Sequence, residues 1–377
     1  MNPLRIRALI RKEFYHLIRD YRSLYLAFAV PLILIVLFGY ALSLDVDNVE
    51  TVVVDYDQAD LSRDLIRKLA ASPYFQITAE LSDTKKAIEY LDNDRTKVVI
   101  VIPANFTGNL RADRETPLQI IIDGSDPNFA GIIRGYLTAF TEQYNQKLLF
   151  SFLDRQGREQ IKPPVDGRIR VWFNEDLESR NFIIPGIIAI IIMIVGALMT
   201  SLIIAREYEQ GTMETIKSLP VRAGEFLLGK ALPYFMIGLT DVLVAVLLGQ
   251  LLFGVVMKGN FWLMIAASSL YLGVALSLGL LISNITKSQL IANQMAILIT
   301  YLPSLLLSNF VFPVINMPAF LQVITYIVPA TYFIDILSGI YLKNLGLAHL
   351  WPSMLILSII FTLITAINYV FLKKEGL

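Results

Sequence analysis

Residues 206–230 read REYEQGTMETIKSLPVRAGEFLLGK, a charged stretch that separates two long apolar runs. The run before it, residues 182–205, contains no charged residue. At about 1.5 Å of rise per residue it is long enough to cross the hydrocarbon core of a bilayer as a helix. A second apolar run begins at Ala231. The charged stretch therefore lies at a membrane surface, and what it contacts there bears directly on what the protein does.

The composition of the whole chain indicates a membrane protein rather than an ordinary soluble enzyme. Hydrophobic residues make up 55% of the 377 residues, and the net charge of zero says little because the charges are segregated along the chain. We therefore expect a polytopic α-helical membrane protein. Six segments have the length and apolar character of transmembrane helices, at about 23–44, 182–205, 231–256, 261–283, 290–312 and 351–372.

Basic residues occur at alternate ends of these six segments. They are frequent in residues 1–22, in the stretch 206–230 and after the last segment, whereas the short connections on the opposite side carry only Lys258 and Lys343. Because positively charged loops are retained in the cytoplasm, we expect both termini there. The first apolar run is longer than the core of a signal peptide, so we favour an uncleaved anchor over cleavage near residues 41–43.

The N-terminal residues 1–22 combine an apolar stripe with basic residues. Ile6, Ile10, Leu17 and Tyr21 share one side of a helix. This pattern predicts a helix that lies in the cytoplasmic interface of the membrane. A solvated basic flank accounts for the charges equally well, and the apolar stripe favours the interfacial helix.

A hydrophilic insert, residues 45–180, separates the first and second apolar segments and by topology lies outside the cytoplasm. Short β-rich runs alternate with helical patterns, which predicts an inserted extracytoplasmic α/β domain. Residues 157–167 are expected to form a linker, and residues 168–173 a strand that returns to the membrane. The expected strands are 51–55, 75–79, 97–102 and 118–123, and the expected helices are 61–71, 83–91 and 127–153.

Acidic residues are concentrated near two of the predicted turns in this insert. Asp55, Asp57 and Asp60 suggest a metal site, but they follow a strand and precede a helix, so a turn with an N-cap is the favoured interpretation. Asp123 and Asp126 are equally well explained as turn and helix-start residues. No metal site is predicted.

Motifs for catalysis or nucleotide binding are absent from the sequence. It contains no GxxxxGK[ST] phosphate-binding loop and no GxSxG, HExxH or CxxC motif, and it has no cysteine. The two histidines, His16 and His349, are expected on opposite sides of the membrane. We therefore predict neither a catalytic residue nor a cofactor held by this chain.

The charged stretch has an internal order of its own. Gly211 is suited to end a helix, Thr212 to cap a new one, and Glu214 to stabilise the first turn of that new helix. Pro220 then turns the chain back towards the bilayer. A simple hairpin needs neither this length nor these capping residues, so we predict a short helix on the membrane surface.

Two segments resemble the signature of ABC-2 type transporter permeases. Residues 205–234, AREYEQGTMETIKSLPVRAGEFLLGKALPY, are similar to the RE-x-E-x-GT-x-E core of that family with its following Pro, GK and PY. Residues 172–186, WFNEDLESRNFIIPG, are similar to the family's WFNP...S-x-NF-x-x-PG segment, with Glu175 where the family often has Pro. One span, a large outer insert and five further spans also resemble the bacterial exporter branch, so the resemblance covers nearly the whole chain.

The resemblance implies a type V exporter-like fold and a coupling helix that docks on a separate ABC ATPase subunit. It also implies two permeases, identical or different, with two ATPases that bind ATP and Mg²⁺. The implied setting is the bacterial inner membrane. The size of the outer insert suggests that it guards the exit or contacts a periplasmic adaptor, and no nucleic-acid partner is expected. The coupling residues implied by this comparison are Arg206, Glu207, Glu209, Gly211, Thr212, Glu214, Pro220 and Lys230.

Asp241 is the clearest charged residue within an expected span. A charged aspartate at mid-bilayer costs about 2.5 to 3.5 kcal/mol, so it should face a cavity, a partner or a proton. A hydrogen-bonded interhelical residue is an equally good interpretation. Asn293, Gln294 and Asn309 are weaker candidates for a polar wall along the substrate path. Four prolines within 303–329 predict a broken, re-entrant outer segment.

The leading hypothesis is the permease subunit of an ATP-driven exporter of drugs or other amphipathic substrates. A proton-coupled secondary transporter that uses Asp241 leaves the charged stretch unexplained. A membrane-anchored receptor needs only one of the six spans. Drugs, lipids and cations all remain open as cargo.

Overall fold

The computed structural model describes residues 2–19, 21–41, 48–112, 114–125, 127–155, 173–174 and 178–377. The chain divides into two compact units, one formed by Met1–Ser43 with Arg170–Leu377 and the other by Leu44–Ile169. The predicted linker at 157–167 lies outside the described residues, as does all of the predicted strand at 168–173 except its last residue.

The first unit begins with two helices, α1 (Pro3–Arg19) and α2 (Tyr21–Ala41). α1 buries Leu17, a member of the predicted apolar stripe, and beside it the acidic Glu13. Because a buried carboxylate needs a partner, α1 must pack against charged groups as well as apolar ones. The opposite side of α1 leaves Ile18 exposed.

The second unit contains a four-stranded sheet with helices on both faces. In chain order its elements are β1 (Val49–Asp55), α3 (Asp60–Ala70), β2 (Phe75–Leu81), α4 (Thr84–Asp92), β3 (Val98–Ile102), α5 (Phe106–Arg111), β4 (Gln119–Ile122) and α6 (Pro127–Arg155). The sheet order is β2-β1-β3-β4, with β4 antiparallel to β3 and the other neighbours parallel.

Both faces of this sheet are covered, which explains why β3 is apolar throughout and why β1 contains the consecutive valines Val52, Val53 and Val54. Successive side chains point to opposite faces. Val53 of β1 therefore joins a core with α3 and α6, whereas Val52 and Val54 join a core with Ala87 of α4. Helix α5 corresponds to no expected element, because its 6 residues are too few to show a helical period.

The three aspartates at and after the end of β1 make separate contacts. Asp55 closes the turn by accepting the N–H of Asp57 at 3.0 Å. Asp57 accepts the N–H of Thr107 at 3.1 Å, and Asp60 pairs with Arg111 at 2.5 Å. None of the three occupies the N-cap position of α3, so the capping part of the prediction is wrong and the turn part agrees with the structure.

The second pair of acidic residues also marks a turn. Asp123 accepts hydrogen bonds from the hydroxyl and the N–H of Ser125, and Lys97 lies 3.0 Å away. These bonds, chiefly those from Ser125, hold the pKa of Asp123 below its usual value. Asp126 lies outside the described residues.

The rest of the first unit is helical. Its helices are α7 (Arg180–Ser201), α8 (Ile203–Glu209), α9 (Thr212–Ser218), α10 (Ala223–Phe253), α11 (Phe261–Thr286), α12 (Gln289–Ala296), α13 (Leu302–Leu306), α14 (Ala319–Thr325), α15 (Pro329–Lys343) and α16 (Leu347–Lys374). A π-helical turn, Ile297–Tyr301, joins α12 to α13. Pro303 has no N–H to donate to the turn before it, and the helix widens there.

Five segments of the described chain are long and apolar enough to cross a membrane, namely Arg180–Glu209 (α7 with α8), α10, α11, Gln289–Leu306 (α12 to α13) and α16. A sixth candidate is the pair α14 and α15, which is bent by 74°. That bend agrees with the broken segment expected from the prolines. In α2 the apolar helical segment is Phe28–Tyr40, which is shorter than these five segments. The expected span at 23–44 is therefore not among the five.

The third expected span begins earlier than the sequence indicated. α10 begins at Ala223 rather than Ala231, because the side chain of Glu225 accepts the N–H of Arg222 at 3.2 Å and caps the helix. The helix ends at Phe253, after which Gly254 adopts a left-handed φ of 68°. The first turns of α10 therefore belong to the charged stretch.

α7 is the central helix of the first unit. Its residues from Ile183 to Ala197 are buried, and it packs against α2, α10, α11 and α15. Small residues allow close helix contact in such bundles. At Gly279 of α11 an added Cβ would lie 2.4 Å from the carbonyl oxygen of Ala197. Glycine at this position therefore permits the contact between α7 and α11.

Candidate functional site

The charged stretch 206–230 folds into a corner formed by α8, α9 and the start of α10. α8 follows α7 directly, and Gly211 then adopts a φ of 71°, a conformation that residues with a side chain rarely adopt. α9 begins at the next residue. Its side chains Met213 and Ile216 are buried in the core of the first unit. The short surface helix is therefore anchored to the bundle.

Four charged side chains meet on the inner side of this corner. Lys230 of α10 lies 2.5 Å from Glu207 of α8 and 2.6 Å from Glu13 of α1. Lys12 lies 2.8 Å from the same oxygen of Glu207. Lys230 is 1% exposed, Glu13 4% and Glu207 6%. The two positive and two negative charges balance, and this pairing is what makes their burial tolerable.

Thr212 links α9 to this ionic cluster. Its hydroxyl donates to the second carboxylate oxygen of Glu207. The N-cap position of α9 is Gly211, so the prediction that Thr212 caps the helix is wrong; the left-handed glycine already makes the turn. A cavity of about 90 Å³ beside the cluster is lined in part by His16 and Arg206 and has room for ordered water.

The N-terminal helix also holds the far end of the stretch. Arg5 of α1 donates to the carbonyl oxygen of Pro220, and the backbone N–H of Asn2 donates to Glu225 at 2.6 Å. α1 thus contacts the stretch at its cluster and at its return to the bundle. Helix α1 is therefore a structural part of the corner.

The other side of the corner is fastened to the start of α12 and to the C-terminus. Glu209 accepts the N–H of Gln289 at 2.8 Å and its side-chain amide at 2.5 Å. Glu375 lies 2.5 Å from Lys287 and accepts the hydroxyl of Tyr208. Burial by itself raises the pKa of Glu375, but the hydrogen bonds from Lys287 and Tyr208 outweigh it and lower the pKa.

One face of α9 remains open to solvent. Glu214, Thr215 and Ser218 are exposed, and Leu219 just after the helix is 52% exposed. These side chains lie opposite the buried Met213. The charged stretch therefore exposes a small surface of charged, polar and apolar side chains to which another protein could bind. Most of its charged side chains instead make contacts within the chain.

The residues that the sequence grouped together separate into two sets. Glu207 and Lys230 bind within the chain, whereas Glu214 faces outward. The sequence interpretation missed Glu13 and Glu375 as partners. Glu13 carried a signal, since it is the only acidic residue of α1 and shares the side of Leu17. Glu375 carried none, because nothing local to it indicates its contacts.

Asp241 is buried in α10. It is 3% exposed, and neither carboxylate oxygen has a hydrogen-bond partner among the described residues. The hydrogen-bonded interhelical arrangement considered from the sequence is therefore not found within the described chain. An isolated charge at this position would be costly.

The weaker candidates for a substrate path lie in and after the fifth span. Asn293 and Gln294 are exposed on α12 in the single chain. Asn309 has a φ of 66° and accepts the N–H of Val314 at 3.0 Å. It therefore closes the turn that follows α13. Among the described contacts these three side chains have no common partner, and Asp241 lies on a different helix, α10.

Comparison with known proteins covers almost the whole chain. Residues 22–370 match the family described as ABC-2 family transporter protein. From Escherichia coli strain K12, the probable multidrug ABC transporter permease YbhS is 34% identical over 98% of this chain and 96% of its own length. The corresponding permease YbhR is 30% identical over 93% of each chain. The inner membrane transport permease YhhJ is 28% identical over 81% of this chain and 80% of its own.

Proposed function

The chain belongs to the ABC-2 family of transporter proteins, and on this premise we propose that it is the permease of an exporter driven by a separate ATP-binding cassette subunit. The observation that carries the proposal is the corner of α8, α9 and α10. It is held firmly to the bundle on its inner side and is exposed on its outer side. An ATPase can drive a membrane protein only through contacts that differ between nucleotide states.

The proposed docking surface is the exposed face of α9. Glu214, Ser218 and Leu219 would contact the ATPase, whose own site would bind ATP and Mg²⁺. Displacement of α9 would pass into α8 and α7, and through Glu207 and Lys230 into α10. In this arrangement the buried residues of the stretch transmit movement and the exposed ones receive it. The chain contributes no catalytic group.

The proposed topology has six transmembrane segments, formed by α2, α7 with α8, α10, α11, α12 to α13, and α16. Both termini and α9 would face the cytoplasm, because the basic residues are concentrated at that end. The second unit would lie outside, and α14 with α15 would form a re-entrant outer segment. The names of relatives that specify an inner membrane support the same location for this chain.

The working assembly would contain two permeases and two ATPases. The face of α12 that carries Asn293 and Gln294 is exposed in one chain, so these polar side chains would line a path shared with a second permease, identical or different. Relatives named as multidrug permeases support drugs or other amphipathic compounds as cargo. The outer unit would guard the exit or contact a periplasmic adaptor.

Site-specific cross-linking tests the coupling role. The chain has no cysteine, so Ser218→Cys introduces a single thiol on the exposed face of α9. Co-expressed with its ABC ATPase, this variant should cross-link to the ATPase with a short bifunctional reagent. Ser125→Cys, exposed in the outer unit, is the matched control and should not. If no ATPase co-purifies with the wild-type chain, the proposed function is wrong.

The same two variants test the topology. A membrane-impermeant maleimide should label Ser125→Cys in cells with a permeabilised outer membrane and leave Ser218→Cys unlabelled. Transport measurements complete the test. Leu219→Glu on the exposed face should abolish ATP-dependent efflux while the protein remains folded and membrane-inserted. Normal efflux by this variant would contradict docking at α9.

A second function, proton-coupled transport, is favoured by one observation, the buried and unpartnered carboxyl of Asp241. A protonatable group in such a place is a feature of proton relays. In that case transport would continue without any ATPase and would be lost in Asp241→Asn. Efflux by Asp241→Asn at wild-type rates from pH 6 to pH 8 would remove this alternative.

A further inference from the structure

A large groove runs along the outside of the helical bundle between α10 and α16, with α11 as its floor. Its volume is about 770 Å³, which is within the range of sites that enclose a lipid-sized or drug-sized molecule. All three helices are candidate membrane spans. The groove is therefore accessible from the membrane rather than from the aqueous phase.

The lining of the groove matches a hydrocarbon chain over most of its length. None of the described residues that line it is charged, and Leu227, Phe235, Leu270 and Phe361 supply alkyl and aromatic surface. Gly273 keeps the floor open beside Phe361, since a Cβ there would lie 3.0 Å from the ring. An unbranched acyl chain fits such a lining because it needs no polar contact along its length.

A short strip of polar side chains crosses the groove from α11 to α16. The hydroxyls of Ser277 and Thr365 lie 3.1 Å apart, and the side-chain amide of Asn368 donates to the carbonyl oxygen of Ser277 at 2.8 Å. The oxygen of the Asn368 amide is buried and has no partner among the described residues. The groove is therefore amphipathic, and an occupant with a polar portion suits it better than pure hydrocarbon.

Basic residues stand at one end of the groove. Gly224 at the start of α10 and Val370 near the end of α16 both line it, so the two helix ends form one mouth. Arg222 precedes Gly224, and Lys373 and Lys374 follow Val370; all three are exposed. Neither lysine forms an ion pair with another residue that the structure describes.

The acidic groups near this mouth are already engaged. Glu375 is paired with Lys287, and Glu225 accepts the N–H groups of Asn2 and Arg222. They therefore do not cancel the charge of Lys373 and the residue that follows it. Clusters of basic residues at the cytoplasmic ends of transmembrane helices attract anionic lipid headgroups. The charge at the mouth thus favours a negatively charged occupant.

We propose that this groove is a binding site for an anionic phospholipid. One acyl chain lies between α10 and α16 on the floor of α11, and the phosphate lies at the mouth beside Arg222, Lys373 and Lys374. The site does not depend on the proposed exporter function. It requires only that the chain is embedded in a bilayer with this end of the bundle in the headgroup region.

Photo-cross-linking in defined vesicles tests the acyl-chain position. The full chain is reconstituted in phosphatidylcholine vesicles with a phosphatidylglycerol that carries a diazirine near the end of one acyl chain, and labelled peptides are mapped by mass spectrometry. Labelling should concentrate on α10, α11 and α16. Ala366→Trp, which fills the groove from an exposed position, should lower it at least fivefold.

Leu363→Trp is the matched control, because Leu363 is exposed on α16 but is not among the residues that line the groove. It should retain labelling within about twofold of the wild type. Thr362→Trp provides a second groove-filling variant in case Ala366→Trp folds poorly. Unchanged labelling in both groove-filling variants would overturn the proposal. No ATPase is present in this experiment.

A second labelling experiment tests whether the mouth of the groove recognises an anionic headgroup. The same diazirine chain on phosphatidylcholine should label the groove several-fold less than the phosphatidylglycerol probe does. The double variant Lys373→Gln, Lys374→Gln should remove this difference, whereas Lys343→Gln, at the exposed end of α15, should keep it. Equal labelling by the two probes in the wild type would show that no anionic headgroup is recognised and would overturn the assignment.

Discussion

Lys230 and Asp241 are both buried in α10, yet their surroundings are opposite. They are eleven residues apart, which is close to three helical turns, so they project from the same side of the helix roughly 16 Å apart. Lys230 contacts Glu13 and Glu207, whereas the carboxylate of Asp241 has no hydrogen-bond partner among the described residues. Helix α10 thus contains a buried ammonium that is neutralised by two carboxylates and, about three turns further along, a buried carboxylate without a hydrogen-bond partner among the described residues.

The difference shows that burial alone does not reveal what a charged residue does. The partners of Lys230 make it a structural link, because removal of any member leaves another charge buried and unpaired. Asp241 supports no neighbour in the described chain, so its presence is not explained by stability. The two residues therefore predict different responses to substitution.

The largest expected effect is that of Lys230→Met. Removal of the ammonium leaves Glu13 and Glu207 facing each other, with only Lys12 at the edge, and we expect a loss of about 3 to 5 kcal/mol in the free energy of unfolding. Thermal unfolding of the detergent-solubilised chain measures it. Lys343→Met, at an exposed position, should leave the midpoint unchanged.

A triple variant checks that this loss comes from unpaired charge. Glu13→Gln, Glu207→Gln and Lys230→Met together remove every buried charge of the cluster, so part of the stability should return. A triple variant less stable than Lys230→Met alone would mean that packing, and not charge balance, makes Lys230 important.

The next largest effect is expected where α1 packs beside the cluster. At Gly229 an added Cβ would lie 2.5 Å from the Cβ of Leu9 in α1. Gly229→Ala should therefore push α1 away from α10 and cost about 1 to 3 kcal/mol. Hydrogen exchange should show faster exchange in α1. Gly131→Ala in α6, where no atom lies within 4 Å of the added Cβ, should not destabilise the chain.

A smaller effect is expected from a half-buried ion pair in the second unit, Asp123 with Lys97. Asp123 accepts hydrogen bonds from Ser125 and lies 3.0 Å from Lys97. Its pKa is lowered in the folded state, so the stability it contributes is present above the pKa of an unfolded aspartate and is lost as the pH falls.

Asp123→Asn should therefore speed hydrogen exchange in β3 and β4 at pH 7. The difference in exchange rate between this variant and the wild type should shrink as the pH falls below the pKa of an unfolded aspartate. A difference that is the same at pH 7 and at pH 3 would contradict this explanation.

The smallest effect is expected for Asp241→Asn. The change keeps the shape of the side chain and removes no contact, so the free energy of unfolding should change by less than about 1 kcal/mol. Glu207→Gln is the same chemical change at a paired position and should cost several times more. If both variants lose equal stability, the contrast between the surroundings of Lys230 and those of Asp241 is wrong.

Hydrophobic runs and turn residues predicted the positions of helices and strands correctly where neighbouring residues determine the structure. The apolar run at 182–205 became α7 and the start of α8, and the Gly211 turn and the surface helix after it lie where the sequence placed them. The strands β1 and β3 also lie close to their predicted runs, because a buried parallel strand needs apolar residues on both faces.

Contacts between distant segments could not be predicted in the same way. The resemblance placed Glu207 and Lys230 among the coupling residues, but Lys230 is bonded to Glu13, 217 residues away along the chain. The N-cap of α9 was assigned to Thr212, whose hydroxyl is instead used by Glu207. The first difference arises because a residue distant in the sequence pairs with Lys230, and the second because Gly211 already makes the turn before α9.

The sequence by itself determined that the chain contains helices long enough to cross a membrane, with an insert between the first two of them along the chain. It also determined that a short charged helix separates the next two. Hydrophobic length and local turn chemistry are encoded residue by residue, so they can be read without a structure. Only the tertiary structure decided which charges of that stretch are buried and which face outward, and that Asp241 has no hydrogen-bond partner among the residues that the structure describes. Pairing of buried charges depends on which helices meet, and that is a property of the whole packed bundle.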